Sequence, residues 1–219
     1  YQAPLAALGW LVPVLHEFLR VGRLGVDLFF ALSGFIITHT YLQKMGPRLS
    51  WPRSRHFLWL RLARIWPVHF VMLNVAGLAV VAQSVLGSGD ATQKDWLNPV
   101  DYVKQLLLVH EWGPDPQRGW NYPAWSLSME WLAYLLFPVL VLLLWRFHQR
   151  LSTRWLCVAW VVVLLPLLWY GTTYLGDPYY ISDWGSTIRI LTEFTAGAIT
   201  YLVVSRLWSA TDDGPKERV

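Results

Sequence analysis

A polytopic all-α integral membrane helix bundle is the fold class this sequence predicts, and three observations carry the prediction. Of 219 residues, 55% are hydrophobic and 15% are charged, and the mean hydropathy is +0.35; soluble domains carry about 25% charged residues. Fifteen tryptophans are present, and Trp with Tyr collects at membrane–water interfaces. Five apolar stretches reach or approach the roughly 20 residues a helix needs to cross the hydrocarbon core. They are Leu24–Gln43, Ile65–Leu86, Trp125–Phe147, Trp155–Leu175 and Ser186–Trp208.

The segments between these stretches complete the organisation. Tyr1–Arg20 is apolar but interrupted by Pro4 and Pro13, which predicts an interfacial segment. The 87–124 connection is long and partly polar, with a possible short helix over Val100–Trp112. Residues 1–208 are expected to form one membrane domain and 209–219 a polar tail. The chain opens on Tyr1 and shows no basic start with a cleavage site, so no signal peptide is expected and the sequence reads as a fragment. The single Cys157, in an apolar run, supports neither a disulfide framework nor a metal cluster.

Charge gives the chain a direction. The net charge is +4, which in such a chain reflects loop asymmetry rather than a nucleic-acid surface. Lys44, Arg48, Arg53, Arg55, Arg61 and Arg64 lie around the first connection. Arg146, Arg150 and Arg154 lie around a later turn, and Arg206, Lys216 and Arg218 follow the last span. These twelve of eighteen basic residues fall on one side of a five-span arrangement. The excess of Lys and Arg makes that side, with the 44–64 connection, cytoplasmic.

Four places carry polar chemistry that lipid would penalise. In Gly22–Phe35, Asp27 enters an apolar helix, and Arg23 one turn earlier could neutralise it. Ser33 and Gly34 are small enough to let helices approach. This reads either as a capped helix start with a packing notch or as a site. In Arg53–Arg64, Arg53, His56, Arg61 and Arg64 fall within an arc of roughly 140°. Such a basic helix on the membrane surface either binds anionic lipid, at about 1 kcal/mol per basic residue, or clamps the phosphates of a donor through Arg61 and Arg64.

The other two lie deeper. In Asn121–Trp131, Glu130 sits about a turn and a half into a span. Burying a carboxylate there costs on the order of 3 kcal/mol and marks a candidate site. Ser126 and Tyr134, at i−4 and i+4, give it a hydroxyl-lined face; the alternative is a Glu that is protonated or paired with a neighbouring helix. In Arg189–Gly197, Arg189 and Glu193 are an i, i+4 pair that either neutralises itself or faces a polar bundle interior. The expectation joining these places is one chamber shared by Glu130, Arg189 and the arginine pair.

The histidines are less directive. His39 and His69 are placed at cytoplasmic span ends, His148 in a basic turn, and His16-Glu17 and His110-Glu111 on the outer side. Any imidazole could act as a general base. No HExxH, CxxC, GxSxG, Walker or GxGxxG pattern occurs in the sequence, so the common hydrolase, metal and nucleotide-loop readings lose support.

Taken in order, these motifs resemble the acyltransferase 3 family of membrane O-acyltransferases. The carriers are Gly25-Val26-Asp27-Leu28-Phe29-Phe30-Ala31-Leu32-Ser33-Gly34-Phe35, then Arg61 and Arg64 with Pro67. Trp125-Ser126-Leu127-Ser128-Met129-Glu130 follows with Tyr134 and Phe137-Pro138, and then Arg189, Glu193-Phe194 and Gly197. The resemblance implies about ten spans and a first helix with an Arg, ten residues and a His, the presumed general base; no such pair occurs here.

It further implies transfer of an acyl group, often acetyl, from acyl-CoA to a hydroxyl. The acceptor would be a cell-envelope or exported carbohydrate or a lipid-linked intermediate, in the bacterial inner membrane. Arg61 and Arg64 would hold the acyl-CoA. Trp125, Ser126 and Glu130 would line the reaction cavity, supported by Asp27, Ser33, Arg189 and Glu193. No metal or bound cofactor is expected, acyl-CoA being a substrate, and the partners are donor, acceptor and bilayer but no nucleic acid. A transporter using Glu130, Arg189 and Glu193 as a path, or a non-catalytic scaffold, is the alternative.

Overall fold

The computed structural model describes residues 11–86, 98–113, 120–173 and 184–212, with side chains of the first helix from Gly25 onward. Helix α1 is Leu11–Met45, α2 Trp51–Val85, α3 Pro99–Leu106, α4 Trp125–Arg150, α5 Thr153–Thr173 and α6 Gly185–Asp212. A 3-10 turn, Tyr122–Ala124, leads into α4. Among the described residues there is no strand. Four stretches are long and apolar enough to cross a membrane: Gly25–Met45, Trp51–Gln83, Trp125–Arg150 and Gly185–Ser209. The described apolar part of α5, Thr153–Trp169, is shorter.

Three expected boundaries move. No separate interfacial segment precedes the first span within the described residues, because α1 runs unbroken from Leu11; Pro13 falls in its first turn, where a missing N–H costs little. Residues 1–10 lie outside the described residues. The basic segment Arg53–Arg64 is not a distinct surface helix either. It forms the first part of the 35-residue α2, which passes through Pro67 without ending; a helix in an apolar setting tolerates the lost bond where neighbouring groups take up the freed carbonyl. Finally, α6 continues to Asp212, beyond the expected start of the tail.

Helix α6 is the hub. Its longest contact is with α1, followed by α5 and α4, while α2 packs on α4. The α1–α6 crossing is a backbone contact. A Cβ added to Gly34 would collide with the Phe194 carbonyl, and one added to Gly197 would collide with the Ala31 carbonyl. Each helix thus offers its glycine to the other's main chain, the close approach that small residues permit in membranes. The α2–α4 contact is filled by rings instead: Phe57 lies 5.2 Å from Phe137 and 4.9 Å from Tyr41.

The expected basic connections meet at one end of the bundle. Gly46 ends α1 with a φ of +69°, and the Arg53 guanidinium donates to the Met45 carbonyl at 3.3 Å. Arg206 of α6 reaches the carbonyls of Phe147, His148 and Leu151, capping the C-terminus of α4. At the opposite end, Asn98 caps α3 by accepting from the Val100 N–H at 2.9 Å. Helix α3 then lies against α2: Tyr102 donates to Asn74 at 3.2 Å and Trp66 to the Leu106 carbonyl at 3.1 Å.

Candidate functional site

On α2, residues Phe57, Arg61, Ile65, His69, Leu73 and Gly77 recur at every fourth position, so they form one i, i+4 ridge that winds slowly round the helix. Five of them are buried and Arg61 is half-buried, which identifies the inward ridge. Arg61 therefore points into the bundle, whereas Arg64 is exposed. The Arg61 guanidinium lies 5.3 Å from the ring centre of Tyr41, 5.6 Å from that of Phe57 and 5.8 Å from that of Tyr134. Aromatic faces attract a cation without neutralising it. Its Nε is buried and has no hydrogen-bond partner among the described residues.

Tyr134 connects this cation to the carboxylate. Its hydroxyl donates to Glu130 Oε1 one turn earlier on α4, and Arg61 and Arg64 both act electrostatically on Glu130. Glu130 is 7% exposed. Of its two expected hydroxyl neighbours, Tyr134 makes the bond. Ser126 and Trp125 stand half-buried in the first turn of α4, where Trp125 packs on the cluster of Phe30, Met129 and Ile190.

The second charged group lies elsewhere. Arg189 Nε donates to Asp27 Oδ1 at 2.6 Å and lies 3.5 Å from Glu193 Oε1. Asp27 is thus matched by an arginine from α6, 162 residues away in sequence, rather than by Arg23 alone; the Arg23 side chain is outside those described. The local i, i+4 reading of Arg189 and Glu193 holds, but Arg189 is shared between two carboxylates. Ser33 is half-buried beside Gly34 on α1.

These contacts place six of the nine candidates at two interfaces. Arg61 and Glu130 meet between α2 and α4, with Arg64 at the edge. Asp27, Arg189 and Glu193 meet between α1 and α6, where Met129, the neighbour of Glu130, faces Thr187 at 3.8 Å. Consecutive positions on α4 therefore address different partners, and the two charged groups do not share one set of contacts.

A third polar cluster was not expected as a unit. His69 is not at a cytoplasmic span end: α2 starts fourteen residues before the predicted span, which puts His69 near its middle, against the 98–113 segment. His69 Nε2 bonds the Gln105 carbonyl at 2.8 Å, and its ring is parallel to that of His110 with centroids 6.5 Å apart. Ser128 donates to the Leu108 carbonyl at 2.8 Å, and Ser186 donates to Glu111 at 2.7 Å. His69, His110, Glu111, Ser128 and Ser186 are all buried. The sequence signal was the four-residue spacing from Arg61 through Ile65 to His69, which marks one side of a helix once α2 is known to be continuous. His16 and Glu17 lie outside the described side chains. Among the described residues, no group of three or more His, Cys, Asp or Glu is placed to hold a metal.

Comparison with known proteins identifies the family. The acyltransferase domain family matches residues 2–207. The chain is 31% identical over 201 residues to the acyltransferase MdmB of Streptomyces mycarofaciens, covering 84% of this chain and 47% of that protein. It is 28% identical over 184 residues to a Staphylococcus aureus protein provisionally named an O-acetyltransferase, covering 79% of this chain and 29% of that one. A shorter match, 39% over 64 residues, is to protein 2 of the picA locus of Rhizobium radiobacter and covers 29% of this chain. The chain thus spans about half the length of one relative and less of the others. No solved structure gives a significant match. The match across nearly the whole chain is sufficient: the chain belongs to the acyltransferase 3 family.

Proposed function

We propose that this chain carries the donor side of a membrane-bound acyltransferase that moves an acyl group, acetyl in particular, from acyl-CoA to a hydroxyl. The acceptor is a cell-envelope or exported carbohydrate or a lipid-linked intermediate, and the membrane is the bacterial inner membrane with the 44–64 connection cytoplasmic. One observation carries the reading: the Arg61 guanidinium is held by three aromatic rings while its buried Nε has no hydrogen-bond partner among the described residues. A cation so placed has a fixed direction and an open hydrogen-bond site, which suits an anionic phosphate. Arg64, one turn away and exposed, supplies the second fork at the mouth of the site. The basic end of the bundle faces the compartment where CoA esters occur.

The division of labour follows from the contacts. Tyr134 ties Glu130 to the donor cation, so donor binding and carboxylate orientation are coupled. Trp125 and Ser126 stand half-buried one turn before Glu130 on α4. Asp27, Arg189 and Glu193, with Ser33 and Gly34, hold α1 against α6 and support the site from behind.

The test is donor affinity in the full-length protein that contains this chain. Arg61→Ala and Arg64→Ala should each weaken acyl-CoA binding about tenfold, equivalent to about 1.4 kcal/mol, with the larger loss at Arg61. Unchanged affinity in both would remove the donor clamp.

A further inference from the structure

We propose that the outward face of α2, at the basic end of the bundle, holds an anionic glycerophospholipid. Its headgroup phosphate sits at Arg55, His56 and Trp59, and one acyl chain runs along Ala63, Trp66 and Phe70. The inference goes beyond the donor reading and does not depend on it. It needs only that α2 crosses a membrane, for which Trp51–Gln83 is long and apolar enough. The two ligands weighed for the basic segment, lipid and donor, then belong to different sides of one helix.

Helix geometry separates the two sides. At about 100° per residue, Pro52, Arg55, His56 and Trp59 each lie at least about 120° round α2 from the inward-facing Arg61, and all four are exposed. Together they line a cleft of about 330 Å³. Its basic groups are uncommitted. Arg53 donates to the Met45 carbonyl, Arg189 to Asp27 and Arg206 to carbonyls at the end of α4. Arg55 and His56, by contrast, have no hydrogen bond or ion pair among the described residues. A guanidinium fork, an imidazole N–H and the Trp59 indole N–H are all donors suited to phosphate oxygens. No carboxylate lines the cleft, so nothing there would receive the ammonium of a zwitterionic headgroup. Trp59 is 65% exposed and Trp51 72%, and exposed tryptophans at a span end sit at headgroup level.

The surface below the cleft suits a hydrocarbon chain. Trp59, Ala63, Trp66 and Phe70 follow at i, i+4, i+7 and i+11, so they form one apolar stripe that leads from the cleft towards the middle of the span. Ala63 is exposed between two tryptophans, which leaves a trough in the stripe. Trp66 is fixed in place: its indole donates to the Leu106 carbonyl at 3.1 Å, and its ring stacks on that of Phe70 at 5.1 Å. A wall already ordered adds no ordering cost of its own when a flexible chain settles against it. Headgroup donors and chain trough thus lie on one line of the helix, in the order in which a phospholipid presents phosphate and chain to a span.

The experiment places the full-length protein that contains this chain in phosphatidylcholine nanodiscs with increasing phosphatidylglycerol. Lipid retained on release into detergent is counted by native mass spectrometry, and the melting temperature is followed in parallel. Wild type should retain phosphatidylglycerol over phosphatidylcholine and melt higher with it. Arg55→Gln combined with His56→Gln should weaken that preference at least about fivefold, the contribution of one basic residue beside an anionic leaflet. Ala63→Trp, which fills the trough but spares the cleft, should also lower retention. Arg48→Gln, an exposed basic residue outside the cleft, should leave it unchanged. All three should melt as wild type in phosphatidylcholine alone, because every altered side chain is exposed, and should bind acyl-CoA within about twofold of wild type. A wild type without preference, a preference that survives the double substitution or Ala63→Trp, or an equal loss in Arg48→Gln overturns the proposal. So does a melting shift reproduced by inorganic phosphate at the same concentration, which would make the cleft a free-anion site. A double variant that loses acyl-CoA affinity would assign this face to the donor and overturn the proposal while leaving the donor reading standing.

Discussion

The α1–α6 and α2–α4 interfaces join the same kinds of helix by opposite means. Between α1 and α6 the main chains touch at Gly34 and Gly197, and a charged triad of Asp27, Arg189 and Glu193 closes one end. Between α2 and α4 the space is filled by Phe57, Phe137, Tyr134 and the Arg61 guanidinium. At the first interface one arginine is shared between two carboxylates. The second leaves a buried Nε–H without a partner among the described residues, beside a tyrosine whose hydroxyl donates to a carboxylate. Two helices in lipid gain little from burying apolar surface against each other, so tight backbone packing and polar contacts must hold them. Here one interface uses both to hold the bundle, and the other carries the polar groups of the proposed donor site.

Three substitutions would break or sharpen that contrast. Arg189→Ala leaves the buried Glu193 and the half-buried Asp27 without their cation and should destabilise the protein by about 3 kcal/mol, seen as a lower melting temperature in detergent; a melting temperature within a degree of wild type would show that the triad is not structural. Gly34→Ala forces the α1 and α6 backbones apart and should cost about 1–3 kcal/mol, with Gly197→Ala similar. If either variant melts as wild type, the crossing is looser than a direct backbone contact. Tyr134→Phe removes one hydroxyl and should cost about 1 kcal/mol of stability, yet slow acyl transfer by more than that loss accounts for. An equal effect on both would make Tyr134 a packing residue and erase the distinction between the interfaces.

How much could be read beforehand depended on sequence separation. Every span was visible as an apolar run, and Gly34 as a packing notch, because length and residue size are local properties. Arg189 with Glu193 was visible because one turn of helix sets their distance. The partner of Asp27 was not, since Arg189 comes from α6 and no periodicity links them. His69 was misplaced for a different reason. Hydropathy located the apolar part of α2 but not the helix start, and the basic stretch before it looked like a separate element. Once the helix is continuous, Arg61 and His69 fall on one ridge.

By itself, then, the sequence determined an all-α membrane bundle, its basic end and the family to which its motifs point, because lipid demands long apolar helices and penalises every charge placed within them. Only the tertiary structure decided that Arg61 meets Glu130 through Tyr134, that Asp27 is matched by Arg189, and that His69 faces the Gln105 carbonyl. Those pairings depend on which sides of the helices meet and at what height, and that is set by glycine contacts and ring packing between segments far apart in the chain.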